Sequence, residues 1–145
     1  MSVEAASVKF AESDDEILRC YPIMLQLRPH LKETEFVGRV RSQQAGGFHL
    51  AYASDSSGTL HTVTGFRILE NLVQGVFLYV DDLVTDADDR SKGWGQLLFA
   101  WLLDYARAHG CNTVELDSGV QRHGAHRFYL RNRMDIVSYH FRVAL

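Results

Sequence analysis

The chain has 145 residues, 46% of them hydrophobic and 23% charged, and a net charge of −3. That length suits one domain around one core, and the weak negative charge excludes a general nucleic-acid surface. No apolar run reaches membrane-spanning length, and residues 1–11 lack the basic and apolar stretches of a secretion signal, so no membrane partner is expected.

Cys20 and Cys111 stand far apart with no Cys-x-x-Cys pair, as reduced thiols of a cytoplasmic protein do. Cysteine and histidine show no metal-ligand spacing, so no metal is expected.

In chain order, residues 8–11 alternate as a short strand. Ser13 or Asp14 can cap the next helix, with Glu16 in its first turn. Ile17, Leu18, Tyr21, Met24, Leu25 and Leu27 form its apolar stripe. Pro22 weakens the middle, and Pro29 predicts a bend or an end near Arg28. Residues 33–44 read as a second helix, stopped by Ala45-Gly46-Gly47.

Residues 48–53 and 59–69 read as antiparallel strands about the turn Asp55-Ser56-Ser57-Gly58. A third strand runs through Val76-Phe77-Leu78-Tyr79-Val80 and Asp81-Asp82 into Leu83-Val84-Thr85. An acidic loop follows, in which Asp86, Asp88 and Asp89 read as solvated. A helix over 96–109 carries Leu97, Leu98, Trp101, Leu102 and Tyr105 at helical spacing. Residues 111–116 are a strand, parallel to the third one because a helix joins them. Residues 122–133 are a helix, and 136–145 alternate as a final strand.

The chemistry concentrates at Arg90-Ser91-Lys92-Gly93-Trp94-Gly95, between strand and helix. The first turn of a helix leaves N–H groups without partners, and the helix dipole adds positive potential there. Gly93 and Gly95 lack a Cβ, so an anion can approach the main chain; Arg90 and Lys92 add charge. A P-loop would need Gly-Lys-Ser or Gly-Lys-Thr, and a dinucleotide turn would need a third glycine at Leu98; neither fits.

Arg-x-x-Gly-x-Gly at a helix start resembles the acetyl-CoA motif of GNAT-type N-acetyltransferases. Ala125-His126-Arg127-Phe128-Tyr129 resembles that family's second motif, Ala-x-x-Phe-Tyr. The element order β α α β β β α β α β matches the family from end to end. The resemblance implies a single domain over 1–145 with the α/β (α+β) acyl-CoA N-acyltransferase fold. It implies a mixed sheet of about six to seven strands, helices on both faces, and a splay between the two parallel strands. One departure stands out: the usual Gly-Phe after Tyr-x-x-x is Arg133-Met134 here. Asn132 is then expected to take the positive φ of the missing glycine, or the exit differs.

The resemblance also implies site roles. The amides of Arg90, Ser91, Lys92, Gly93, Trp94 and Gly95, with Gln96 close by, would hold the diphosphate of acetyl-CoA, a co-substrate. Leu83, Val84 and Thr85 would pair with its pantetheine arm as an added strand does, with Asp81-Asp82 as the β-bulge that opens the sheet. An amide near Leu83 would polarise the thioester carbonyl. Phe128 and Tyr129 would lie by the cofactor, with Tyr129 as acid for the leaving sulfur. The base stays open among Asp82, Glu115, Asp117, His123 and His126, with Asp82 and His123 preferred. Residues 24–31 are expected to line the acceptor side, where Arg28 or His30 could meet a substrate carboxylate.

The implied activity is acetyl transfer from acetyl-CoA to a primary amine of a small molecule or peptide, by direct attack in a ternary complex. The competing readings are a non-catalytic acyl-CoA-binding regulatory module and a small α/β nucleotide binder. The final strand, with Val137, Tyr139, Phe141 and Val143, could pair across a homodimer.

Overall fold

The computed structural model describes residues 6–145; residues 1–5, the start of the segment read above as no secretion signal, lie outside the described residues. The chain forms two units, one up to Glu115 and one from Leu116 onward.

In the first unit, β1 (Ser7–Phe10) leads to α1 (Asp14–Leu27). Ser13 caps α1 with a reciprocal pair: its Oγ accepts from the Glu16 N–H at 3.1 Å, and the Glu16 carboxylate accepts from the Ser13 N–H at 3.2 Å. Pro22 sits inside the helix without ending it. The end comes at Arg28, whose N–H donates to the Met24 carbonyl, just before Pro29. Helix α2 (Glu33–Ala45) stops at Gly46, and Gly47 takes φ +101°.

Strands β2 (His49–Ser54), β3 (Leu60–Asn71) and β4 (Gly75–Thr85) form an antiparallel meander. A 3-10 turn (Ala87–Asp89), α3 (Trp94–Ala108) and β5 (Thr113–Leu116) follow. The sheet order is β1-β2-β3-β4-β5. The Asn112 N–H donates to the Val76 carbonyl at 2.7 Å, so β5 starts beside the start of β4, as a helical crossover requires.

Side-chain alternation gives the sheet two buried faces. Ile17, Cys20, Met24 and Phe36 of α1 and α2 pack with Leu50, Tyr52 and Val63 on one face. On the other, Trp101 and Tyr105 of α3 meet Phe66 edge-on at 5.9 and 5.2 Å, beside Phe10. Helices thus cover both faces of this unit's sheet. Burying these aromatic and branched side chains stabilises by roughly 1.5–3 kcal/mol each.

Helix α3 starts at Trp94, two residues before the expected Gln96. Gly93 supplies its cap at φ +95°, and the Trp94 indole is buried against His61, which draws both residues into the helix start.

In the second unit, α4 spans His123–Arg131. Its exit corrects one expectation. Asn132 keeps φ −86°, and Arg133 itself takes φ +63°, at the position where the resembling motif has glycine. The N–H groups of Arg133 and Met134 then reach the carbonyls of Leu130 and Tyr129 at 3.0 and 3.1 Å, closing the helix end.

A second correction concerns the strand count. The described residues form five strands, not six to seven, because 136–145 form no strand. Alternation suits a pleat, but a strand exists only where its backbone groups find a neighbour. Here Val137, Tyr139, Phe141 and Val143 stay exposed.

Candidate active site

The turn into α3 has the backbone shape of a concave nest. Ser91 takes φ +63° and Gly93 φ +95° on either side of Lys92, the left-handed steps that gather successive N–H groups into a concavity. The first intrahelical bond runs from the Leu97 N–H to the Gly93 carbonyl at 3.0 Å. The N–H groups of Trp94, Gly95 and Gln96 therefore lie in the turn that a helix cannot satisfy internally. Arg90, Ser91, Lys92 and Gly93 are exposed. Lys92 folds back: its Nζ donates to the Asp88 carbonyl at 3.0 Å and meets Asp89 Oδ1 at 3.3 Å. Trp94 is buried, so only its main chain is left to face a ligand.

A histidine absent from the sequence reading fixes this turn. His61 Nε2 lies 2.7 Å from Asp55 Oδ2, and its Nδ1 lies 2.5 Å from Asp89 Oδ2. Its ring stacks on the Trp94 indole at 4.1 Å. Burial alone would lower the His61 pKa, but the bonds to Asp55 and Asp89 outweigh it and raise the pKa. The Asp89 pKa is lowered, first by its bond to His61. Asp89 is thus no solvated loop residue; it ties the turn to β3. No local pattern marks His61, because its partners are loop acids brought close only by the fold.

Strand β4 carries a bulge where expected. Gly65 pairs with Asp82 and Phe66 with Val80, so Asp81 is the extra residue. Past the bulge, Thr64 and Thr62 of β3 donate their hydroxyls to the carbonyls of Asp82 and Val84 at 2.8 and 3.0 Å. These bonds hold the segment Leu83-Val84-Thr85; Val84 is buried, and its two neighbours are half-buried.

Asp82 opens onto a cavity of about 390 Å³, walled by Met24, Phe36, Phe48 and Leu50. Burial raises the Asp82 pKa, opposed by Arg28, whose Nε donates to Oδ1 at 2.8 Å. The same guanidinium donates to the Asp81 carbonyl at 2.9 Å. Arg28 therefore meets the protein's own carboxylate, where the sequence left it open to a substrate carboxylate. His30 lines the cavity, and so does Arg39, which the sequence reading passed over.

In the second unit, Tyr129 is half-buried on α4, with the Phe128 ring 5.7 Å away. Burial raises its pKa, and Arg122 partly offsets that by charge and a hydrogen bond. His123 is exposed at the first position of α4, its ring edge-on to His126 at 6.0 Å. His126 Nε2 lies 2.8 Å from the Gly119 carbonyl. Glu115, in the first unit, is bonded by Thr113, and Asp117 lies 3.3 Å from His140.

A mixed sheet with a helix-start cradle and a bulged strand defines an acyltransferase of the GNAT type. The chain belongs to the acetyltransferase (GNAT) family, whose model matches residues 12–133. It is 34% identical over 136 residues to the uncharacterized N-acetyltransferase YhdJ of Bacillus subtilis, covering 93% of this chain and 96% of that one. It is 35% identical over 66 residues to the aminoalkylphosphonate N-acetyltransferase of Salmonella typhimurium, covering 46% of this chain and 43% of that one. A crystal structure of a Trypanosoma brucei acetyltransferase superposes with a TM-score of 0.77 at 19% identity, covering 97% of this chain and 99% of that one.

Proposed function

We propose that the protein moves an acetyl group from acetyl-CoA to a primary amine by direct attack in a ternary complex. The observation that carries this reading is the pairing, in one unit, of an amide cradle at residues 90–96 with a bulged strand whose Asp82 opens onto a cavity. The cradle suits the diphosphate, and the segment 83–85 suits the pantetheine amides. The acceptor amine enters the cavity and gives its proton to Asp82, whose raised pKa fits a base better than an ordinary carboxylate. Its nitrogen bonds to the acetyl carbon, and the C–S bond breaks. The thiolate takes a proton from Tyr129, in the role that the Ala-x-x-Phe-Tyr resemblance implies, and the second proton that the nitrogen sheds as the amide forms restores the Tyr129 phenol. His123 is the second candidate base.

Two free thiols fit a cytoplasmic setting. The exposed apolar alternation at 137–145 supports a homodimer built on that segment.

Free-thiol release from acetyl-CoA with an amine panel tests the reading. Amine-dependent release should fall about 10²-fold or more in Asp82→Asn and in Tyr129→Phe, the range for a lost acid or base. Full activity in Asp82→Asn together with its loss in His123→Gln would move the base to His123. Release equal with and without amine would refute acetyl transfer.

A further inference from the structure

We propose that the acceptor amine carries an anionic group, a carboxylate or a phosphonate, which docks on Arg39 at the α2 side of the cavity. The inference rests on the acetyl-transfer reading and names its substrate class.

The argument is one of charge placement. Asp81 and Asp82 look like a site for a plain cationic amine, but each already has a guanidinium. Arg28 Nε holds Asp82 at 2.8 Å. Arg67 Nε holds both oxygens of Asp81, at 2.9 and 3.2 Å. Arg67 is fixed in turn, because its Nη2 donates to Gln43 at 2.8 Å and its guanidinium lies 5.2 Å over the Phe48 ring. Two carboxylates are thus matched by two arginines before any ligand arrives.

The cation left over is Arg39. It lines the same cavity, it is exposed, and no ion pair engages it among the described residues. With Asp81 and Asp82 each held by an arginine, the charge not matched within the cavity is positive, although the whole chain is negative at −3. A purely cationic amine would meet repulsion from that excess. An amine bearing a carboxylate or phosphonate would meet a planar donor fork suited to its oxygens. The cavity, about 390 Å³, is at the small end of ligand sites, which favours a compact molecule over a folded protein surface.

Matched acceptors test this. Thiol release from acetyl-CoA is compared for propylamine, 1,4-diaminobutane, β-alanine and 2-aminoethylphosphonate. The expected result is a kcat/KM for at least one anionic amine about tenfold or more above both plain amines. Arg39→Gln should erase most of that advantage through KM. Which anionic arm wins tells carboxylate from phosphonate. Equal or better use of the plain amines would overturn the inference while leaving acetyl transfer intact, as would an advantage that survives Arg39→Gln. If no amine is acetylated, the parent reading fails, and the inference is decided by binding. In that case an NMR titration should shift the Arg39 side-chain Nε–H signal with 2-aminoethylphosphonate and not with propylamine. No such shift would overturn it.

Discussion

Arg133 holds φ +63° at a helix exit where an L-residue is strained. Relieving that strain should outweigh the extra backbone freedom of glycine, so Arg133→Gly is predicted to stabilise the protein by about 1 kcal/mol. Urea unfolding checks this, and a destabilised variant would contradict it. Gly65 makes the opposite case. A Cβ there would meet the Phe48 ring at 2.4 Å and Asp82 Oδ2 at 2.8 Å. Gly65→Ala must therefore push the ring and the carboxylate out of place. It should cost about 1–3 kcal/mol of stability and lower kcat more than the stability loss explains. His61 gives the pH dependence. Its raised pKa means its contribution is full below the ordinary histidine value of about 6.5 and fades as pH rises through the raised value. Asp55 and Asp89 have lowered pKa values, so their contribution is lost only in acid. The stability gap between the wild type and His61→Gln, followed by denaturant unfolding, should be widest on the mildly acidic side and narrow as pH rises. A gap that widens above neutrality would contradict this assignment.

Among the elements, α1 shows why some of the fold is legible from sequence. Its cap is local: Ser13 and Glu16 satisfy each other within three residues. Ser13→Ala is predicted to cost about 1 kcal/mol, measured as a shift in the unfolding midpoint. The meander was legible for the same reason, since its alternation and its turns are short-range signals. The bulge at Asp81 was legible too, as two acids interrupting an apolar strand. Two features needed the assembled fold. Helix α3 begins early because Trp94 finds His61, a partner distant in the sequence. Arg28 was open to a substrate from sequence alone, and only the register of β4 brings Asp82 to it. Residues 136–145 show the reverse error, where alternation promised a strand that no neighbour in the described structure completes.

On the scale of the whole molecule, the family model runs through both units, from residue 12 to 133. Among the described residues, no helix is long and apolar enough to cross a membrane. The segment beyond residue 133 carries five exposed apolar residues from Val137 to Leu145 if alternate positions are counted, more than a solvated end needs. Sedimentation velocity should show a dimer at micromolar concentration, dissociated by Phe141→Asp; a monomeric wild type would contradict the proposed homodimer. The account as a whole rests on the turn at residues 90–96 being the seat of the cofactor's diphosphate. The direct measurement is a crystal structure of the protein with coenzyme A. The predicted result places diphosphate oxygens within about 3.2 Å of main-chain nitrogens between Ser91 and Gln96. A diphosphate bound anywhere else, with that turn untouched, would contradict it.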